Sequence, residues 1–228
     1  MIDTILNTIF PNYCVVCRTQ VFERRHGAAC PGCWQLLEPL PMPWCDRCGM
    51  PEAAIDGLCG PCRREENAFD MARSALLFNE PLRVIVHHLK YSDRVSLARP
   101  LGEILRDCLT REPFTADLAI PVPLHRVRQR QRGYNQADLL AHALGLSVET
   151  RLLRRHKATP SQTGLSRTQR RHNLAGAFEV QGDVKGGRFV IVDDVFTTGA
   201  TTNEMARALK RAGAERVEVL TVGRVPLP

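Results

Sequence analysis

Two neighbouring carboxylates, Asp193 and Asp194, directly follow an unbroken apolar triplet at residues 190–192. An apolar run without polar alternation is typical of a parallel strand that is covered on both faces. The segment after the acidic pair has small and hydroxyl-bearing side chains, which let successive backbone N–H groups converge on an anion. This segment contains Thr197, Thr198, Gly199, Ala200 and Thr201. Carboxylates that can meet hydroxyl groups, beside a backbone nest for a phosphate, together predict a sugar-phosphate site.

A helix is predicted immediately after this segment and would complete the anion site. Thr201 and Glu204 have the spacing of a capping box, and Met205, Leu209 and Ala212 fall on one helical face. The amino end of such a helix carries unpaired N–H groups and the positive end of the helix dipole, which both favour a phosphate. Strand, acidic pair, loop and helix are therefore expected to form one unit.

The sequence VIVDDVFTTGAT resembles the phosphoribosyl pyrophosphate (PRPP) signature of type I phosphoribosyltransferases. The resemblance implies that Asp193 and Asp194 hold the 2′ and 3′ hydroxyls of PRPP and that residues 197–201 wrap its 5′-phosphate. It also implies Mg²⁺, held largely by the diphosphate, the ribose hydroxyls and water. The alternative without a binding function is a strand that ends in a solvated acidic turn.

The second chemical signal is the spacing of the cysteines, eight of which fall in four C-x-x-C pairs. These pairs are Cys14 with Cys17, Cys30 with Cys33, Cys45 with Cys48, and Cys59 with Cys62. A C-x-x-C turn brings two thiolates to one tetrahedral ion, and two such turns complete a closed structural zinc site. The sequence therefore predicts two zinc ions. Sequential and interleaved pairing of the four turns both remain open.

A disulfide framework is the alternative for these cysteines, but it requires an oxidising compartment. The segment Met1-Ile2-Asp3 has no basic leader, and no apolar stretch approaches the ~18 residues of a membrane span. We therefore expect a cytoplasmic chain that does not insert into a membrane. Cys108, the ninth cysteine, falls on a helical face with Leu101 and Leu105 and is predicted to pack in the core.

The length of 228 residues allows one small metal-stapled module and one α/β domain. We place the boundary near Asn67, giving domains 1–66 and 67–228. The first domain has an apolar helical stripe at residues 2–9 but too few large apolar side chains after it to fold without metal. The second alternates predicted strands (71–78, 118–122, 148–152, 190–192, 217–222) with predicted helices (82–89, 96–109 and one capped by Asn135). This alternation predicts a mostly parallel sheet with helices on both faces and ligands at the carboxyl ends of the strands.

A second anion-binding segment is predicted at the end of the strand 118–122. The sequence IPVP, continued by Leu124 and His125 after Pro123, resembles the pyrophosphate loop of phosphoribosyltransferases. A proline-rich strand end is an equal alternative. Four arginines follow at alternate positions and suit a substrate with several phosphate charges. They are Arg126, Arg128, Arg130 and Arg132.

The positive charge of the chain is concentrated in this middle region. The net charge is +7, and residues 118–178 contain 11 Lys and Arg against 2 Asp and Glu. Residues 1–66 contain 6 basic against 8 acidic side chains, which makes the predicted zinc module a poor electrostatic clamp for nucleic acid. The basic segment 154–173, with Lys157, is predicted to be a mobile loop that folds over a diphosphate, and plain disorder is its alternative.

The chain as a whole resembles the ComF family of competence proteins. The resemblance rests on the four C-x-x-C pairs, on HLKY at 88–91, on IPVP with RQRGYNQ, on PSQTGLSRTQRRHNLAGAF and on the PRPP signature. It implies a double zinc ribbon joined to a type I phosphoribosyltransferase-like α/β domain, and a role in DNA uptake during natural transformation. The chain departs from the family pattern at Ser92-Asp93-Arg94, where a basic residue and a glycine are more usual. This departure weakens Lys90 and Tyr91 as candidates for a roof over an acceptor.

Two functions are expected from these features. In the first, the chain binds Mg–PRPP as a ligand and also binds single-stranded DNA and other competence proteins. Its nucleic-acid candidates are Arg126, Arg128, Arg130, Arg132 and Tyr134. Aromatic side chains are scarce in this basic region, so it offers little surface for stacking of bases. In the second, it is an active phosphoribosyltransferase that moves the 5-phosphoribosyl group to an unidentified acceptor and releases pyrophosphate. Its catalytic candidates are Asp193, Asp194, Arg126 and Lys157. A zinc-dependent assembly scaffold is a third possibility.

Overall fold

The computed structural model describes residues 11–51, 56–157 and 174–226. The predicted apolar stripe at residues 2–9 and most of the predicted mobile loop, residues 158–173, lie outside the described residues. The strands are β1 Met71–Leu77, β2 Leu118–Pro121, β3 Ser147–Val148, β4 Leu153–Arg155, β5 Phe178–Val180, β6 Arg188–Phe196 and β7 Arg216–Arg224. The helices are α1 Pro31–Gln35, α2 Gly60–Arg64, α3 Glu80–Tyr91, α4 Ala98–Arg111, α5 Arg126–Arg132, α6 Gln136–His142 and α7 Ala200–Arg211.

Five of the strands form one parallel sheet in the order β1-β7-β6-β2-β3. β6 lies at its centre, where Val190 is opposite Ala119 of β2 and Glu218 of β7. Every neighbouring pair in this sheet is parallel, so the carboxyl ends of the strands meet at one edge. The predicted α/β fold with a parallel sheet is therefore confirmed.

Helices cover both faces of the sheet, because alternate residues of β6 belong to different cores. Val190 and Val192 pack in a core with side chains of α3, α4 and α6. Phe189 and Ile191 pack in a second core with α7, which contributes Met205. These strand side chains are buried on both sides. Burial on two faces is the physical reason for the unbroken apolar run in the sequence.

The cysteine-rich segment packs against the two cores as well. The first core includes Cys14 and Cys33, and the second includes Cys45, Cys48, Cys59 and Cys62. The segment also bonds to the outer strand of the sheet, since Leu77 N–H donates to Glu38 O at 2.8 Å and Ala72 N–H donates to Arg47 O at 2.7 Å. The domain boundary near Asn67 stays a prediction.

β6 is longer than predicted and contains the acidic pair instead of ending before it. The strand runs to Phe196, and Asp193 lies opposite Thr221 of β7. The reason lies in β7, which continues to Arg224 and offers hydrogen-bond partners beyond Val192.

The predicted strand 148–152 does not form. Ser147–Val148 joins the sheet as β3, while Leu153–Arg155 becomes β4 in a separate antiparallel pair with β5. The chain leaves the sheet after Glu149 N–H donates to Ala119 O at 2.9 Å. The residue types in so short a segment could not show that the chain on its two sides pairs with different strands.

The predicted helices 82–89 and 96–109 form as α3 and α4, whose ends each differ from the predicted ones by two residues. Asn135 caps α6 as predicted, by accepting from Ala137 N–H at 3.1 Å. The capping box of α7 is absent, because Gly199 is the N-cap and Glu204 instead accepts from Gly176 N–H at 2.8 Å. The arginine segment forms the unpredicted helix α5, which ends at Gly133 with φ +78°. Cys108 is buried in the core as predicted.

Among the described helices, none combines the length and the apolar character that crossing a bilayer needs.

Candidate functional site

A cavity of about 480 Å³ opens at the carboxyl edge of the sheet. Its walls come from the end of β6, the loop before α7, the last turns of α3, one face of α5 and the end of β4. This is the edge at which parallel α/β sheets bind ligands, because strand ends and helix amino termini converge there. The cavity therefore lies where the sequence predicts a ligand.

The acidic pair lines this cavity, but its two carboxylates have different surroundings. Asp194 is 3% exposed, and its carboxylate forms an ion pair with Lys90 of α3. Asp193 is half-buried, and its carboxylate oxygen accepts from Asp194 N–H at 2.9 Å. Asp193 is thus the more accessible of the two, while Asp194 is already engaged by a cation.

These surroundings move the two carboxyl pKa values in opposite directions. Burial and the adjacent charge of Asp194 raise the pKa of Asp193 well above its usual value. Burial alone would raise the pKa of Asp194, but the charge of Lys90 and hydrogen bonds from Lys90 and Asp193 lower it. Burial by itself would lower the pKa of Lys90, but the charges of Asp194 and Asp193 raise it above its usual value. Of the two carboxyl groups, Asp193 is therefore the more readily protonated and Asp194 the more readily ionised.

The loop after β6 turns at Gly199, which has φ +72°. A Cβ atom at this position would lie 2.4 Å from Cζ of Phe196. The tight turn is held by α7, since Asn203 N–H and the Thr202 hydroxyl both donate to Gly199 O, at 2.8 and 3.1 Å. Only glycine combines this backbone conformation with such a close approach of a ring.

The loop residues predicted to hold a phosphate line more than one cavity. Thr197 and Thr201 line the main cavity. Thr197, Gly199, Ala200 and Thr201 also line a small recess at the amino end of α7. Thr198 does not line the main cavity but borders a gap beside Cys48, Cys59 and Cys62. Its buried hydroxyl has no hydrogen-bond partner in the part of the chain that the structure describes.

The four alternating arginines divide between two faces of α5. Residues two apart on a helix point in opposite directions, whereas residues four apart share a face. Arg128 and Arg132 are half-buried and line the cavity, while Arg126 and Arg130 are exposed and point away from it. Arg126 is therefore not placed at the cavity where the departing pyrophosphate is predicted.

Arg155 is a cavity residue that no pattern in the sequence singles out. It ends β4, is 7% exposed and lies with its guanidinium carbon 5.7 Å from the ring centroid of Phe178. Burial and the nearby charge of Arg128 lower its pKa. The signal in the sequence is weak, because Arg155 is one of many arginines and its burial depends on the pairing of β4 with β5.

The last turn of α3 forms the outer wall of the cavity. The guanidinium carbon of Arg132 lies 5.0 Å from the ring centroid of Tyr91, and the ring of His87 lies 5.0 Å from the same ring. Tyr91 is 68% exposed, so one side of this stack is open. Asp93, in the segment that departs from the family pattern, adopts φ +52°, a conformation that favours glycine.

Several predicted residues lie apart from the cavity. Leu124 lines it, but Pro123 and His125 do not, and the His125 ring caps α5 by accepting from Val127 N–H at 3.4 Å. Lys157 is exposed beside the undescribed segment. Tyr134 packs against the first core and donates its hydroxyl hydrogen to Leu89 O, so its ring is not a free stacking surface.

The eight paired cysteines form two separate clusters in sequential order. One contains Cys14, Cys17, Cys30 and Cys33, and the other contains Cys45, Cys48, Cys59 and Cys62. The four sulfur atoms of each cluster lie within 4.8 Å of one another. Cys17 Sγ and Cys30 Sγ lie 3.6 Å apart, and so do Cys48 Sγ and Cys59 Sγ. A tetrahedral ion with Zn–S bonds of about 2.3 Å needs sulfur separations of this size, so both clusters fit Zn²⁺.

Comparison with known domain families agrees with both halves of this arrangement. The double zinc ribbon domain family matches residues 5–63, and the phosphoribosyl transferase domain family matches residues 130–226. Fold and site together define a double zinc ribbon protein with a phosphoribosyltransferase-type α/β domain.

The chain belongs to the ComF family. It is 32% identical to competence protein F of Haemophilus influenzae over 92% of this chain and 96% of that protein. It is 34% identical to DNA utilization protein YhgH of Salmonella typhimurium, over 92% and 95% of the two chains. Competence protein ComFC of Bacillus subtilis is 24% identical, over 81% of this chain and 78% of its own length. Among solved structures, the allosteric regulatory enzyme of purine biosynthesis covers 60% of this chain and 30% of its own, with 21% identity and a TM-score of 0.40.

Proposed function

We propose that this protein binds Mg–PRPP at the carboxyl edge of its sheet and acts in DNA uptake. One observation carries the proposal: the acidic pair and the loop around Gly199 border one cavity with a basic wall. The carboxylates suit ribose hydroxyls, and the loop with the amino end of α7 suits the 5′-phosphate. The cavity cations Arg128 and Arg155 suit the diphosphate.

The donor set also fits Mg²⁺ carried by PRPP. Asp193 and Asp194 offer hard oxygen ligands beside the ribose position, and Thr197 and Thr201 offer hydroxyl oxygens. Mg²⁺ usually keeps several waters and takes phosphate oxygens, so few protein ligands are required. Lys90 limits the free charge on Asp194 through their ion pair. Asp193 is therefore the carboxylate that we assign to direct contact with the ligand.

The proposed role in DNA uptake rests on the named relatives. Two of them are called competence proteins, and another is called a DNA utilization protein. The outer face of α5 supports contact with single-stranded DNA, because Arg126 and Arg130 are exposed there and do not line the cavity. Other competence proteins are the proposed protein partners.

Phosphoribosyl transfer is the second candidate function. The cavity extends beyond Asp193 to Tyr91 and Arg132, which leaves a space for an acceptor beside the ribose. In such a transfer the bond from the anomeric carbon to the pyrophosphate oxygen breaks, and a bond to the acceptor nucleophile forms. The residues of this chain would orient the two partners and balance the charge of the departing pyrophosphate.

Calorimetry with Mg–PRPP tests the binding proposal. The double variant Asp193→Asn with Asp194→Asn is expected to lose at least tenfold in affinity, about 1.4 kcal/mol or more. Asp117→Asn is the control for loss of a carboxylate outside the site, because Asp117 lies before β2, at the amino edge of the sheet. Wild-type protein that binds no Mg–PRPP, or a double variant that binds as wild type does, would refute the proposal.

Pyrophosphate release separates the two functions. Wild-type protein with Mg–PRPP is offered nucleobases, ribose acceptors and single-stranded DNA, and pyrophosphate is measured. Release that depends on an acceptor and is lost in the double variant establishes the transferase. Binding of Mg–PRPP without release from any of these acceptors favours the ligand-binding function.

A further inference from the structure

A single buried cation, Arg224, links the second cysteine cluster to the loop at residues 197–201, the phosphate loop. The residue is 2% exposed and ends β7. Its Nη2 donates to Cys48 Sγ at 3.6 Å, and its Nη1 donates to Thr197 O at 3.4 Å. Its guanidinium also covers Phe196, with the guanidinium carbon 4.2 Å from the ring centroid. One side chain therefore contacts a cluster cysteine, the loop and the ring that packs under Gly199.

The contact with Thr197 bears on the direction of the loop amides. In a planar trans peptide, the carbonyl and the following N–H point to opposite sides. Holding Thr197 O towards Arg224 therefore keeps Thr198 N–H on the side away from Arg224. A backbone nest binds an anion only while its N–H groups stay aligned. Arg224 is placed to maintain that alignment without touching a ligand in the cavity.

The cysteine cluster supplies the charge that this buried guanidinium needs. Four thiolates around Zn²⁺ carry a net charge of about −2, whereas thiols that have lost the metal take up protons. A buried cation without an anionic partner is strongly unfavourable. The side chains around Arg224 are not close-packed, because a gap of about 20 Å³ remains between the cluster, Phe196, Thr198 and Arg224. The contact with Cys48 is therefore needed to hold the guanidinium in place. The first cysteine cluster belongs to the other core, on the opposite face of the sheet.

We propose that Arg224 is a positioning residue through which the zinc site at Cys45, Cys48, Cys59 and Cys62 holds the phosphate loop in its binding conformation. This inference rests on the proposed binding of Mg–PRPP. Occupancy of the second zinc site and affinity for Mg–PRPP are then coupled, and the coupling acts in both directions. Zinc at the first cluster lacks this coupling.

The first experiment measures Mg–PRPP affinity by calorimetry on the zinc-loaded full chain. Arg224→Gln is expected to weaken binding about tenfold, because the substitution removes the charged donor that holds the Thr197 carbonyl. Arg224→Lys, which keeps the charge, is expected to recover part of the loss. Arg216→Gln is the matched control, since Arg216 begins the same strand and pairs with Glu218 at 2.8 Å. That variant is expected to bind as wild type does.

The second experiment needs no substitution and is therefore independent of how well Arg224→Gln folds. Alkylation of cysteines in wild-type protein, followed by peptide mass spectrometry, reports the two clusters separately. Saturating Mg–PRPP is expected to slow alkylation at Cys45, Cys48, Cys59 and Cys62 about tenfold and to leave the first cluster unchanged. In a folded Arg224→Gln protein this protection is expected to disappear.

The outcomes separate this inference from the proposed function. Wild-type protein that binds no Mg–PRPP overturns both. Wild-type binding that is unchanged in a folded Arg224→Gln protein overturns the inference and leaves the proposed function intact. Equal protection of both clusters by Mg–PRPP, or protection of neither, also overturns the inference.

Discussion

At the scale of single residues, the site is defined by two positions whose neighbours leave little freedom. Gly199 combines φ +72° with a ring atom 2.4 Å from where its Cβ would lie. Asp193 shares a buried environment with Asp194 and has a raised pKa. Strained backbone and shifted pKa values are concentrated at functional sites, because ligand binding requires these conformations and charges even though they lower the stability of the free protein.

Gly199→Ala is expected to lower the free energy of unfolding by about 1–3 kcal/mol and to weaken Mg–PRPP binding. The Phe196 ring cannot move away easily, because Arg224 covers it and the Phe69 ring packs against it edge-to-face, with the ring centroids 5.9 Å apart. Gly186→Ala is the control, since Gly186 has φ +69° but nothing within 4 Å of an added Cβ. Urea unfolding and calorimetry on both variants check the prediction. Equal losses of stability and affinity in the two variants would show that the contact with Phe196 is unimportant.

Asp193→Asn is expected to stabilise the free protein by about 0.5–2 kcal/mol at pH 8 while it weakens Mg–PRPP binding. The pKa of Asp193 is raised in the folded state, so its contribution to stability falls as the pH rises from about 4 through that raised value. The gain in the free energy of unfolding from Asp193→Asn should therefore be at least as large at pH 8 as at pH 6. Thermal melts of zinc-loaded protein at the two pH values measure it.

Asp117→Asn is the control for this prediction, because hydrogen bonds from Arg188 lower the pKa of Asp117. It should not stabilise the protein at either pH. A wild-type protein that is more stable than Asp193→Asn at pH 8 would contradict the prediction.

At the scale of elements, α5 shows how a helix changes the meaning of a sequence pattern. Alternating arginines would all lie on one side of an extended strand, but on a helix they form two pairs on different faces. Arg128 and Arg132 line the cavity, and Arg126 and Arg130 are exposed to solvent. The same helix therefore offers separate cations for a ligand in the cavity and for a polyanion outside it.

Arg128→Ala is expected to weaken Mg–PRPP binding about tenfold, whereas Arg130→Ala should leave it within about twofold. Arg130→Ala is expected to weaken single-stranded DNA binding and to reduce the slope of log affinity against log salt by about one. Calorimetry and fluorescence anisotropy at several salt concentrations make the comparison. The two variants are matched controls for each other, and identical effects on both ligands would exclude two separate faces.

At the scale of the whole molecule, the two cysteine clusters are parts of the main cores. Cys14 and Cys33 pack in the core on one face of the sheet, and the second cluster packs in the core on the other. The backbone carbonyl oxygens of Glu38 and Arg47, in the same segment, accept hydrogen bonds from N–H groups of β1. Metal binding is therefore expected to stabilise the sheet as well as the ribbon.

Removal of zinc with a chelator is expected to lower the unfolding temperature of the whole chain by about 10 °C or more. The metal orders residues that bury both faces of the sheet, so ribbon and sheet should lose stability together. Differential scanning calorimetry with and without chelator, with zinc content measured in parallel, tests this. A zinc-free protein whose main transition is unchanged would show that the ribbon is an independent appendage.

The sequence by itself determined the features that depend on local spacing. Apolar runs, C-x-x-C turns, the Asn135 cap and the turn at Gly199 each arise from interactions among near neighbours, and the parallel α/β fold and two four-cysteine clusters follow from them. The tertiary structure alone decided the sequential cysteine pairing, the ion pair of Lys90 with Asp194, and the positions of Arg155 and Arg224. These depend on contacts between residues far apart in the chain, and their geometry is set by how strands and cores pack. A residue type and its spacing carry no information about which distant group will lie beside it.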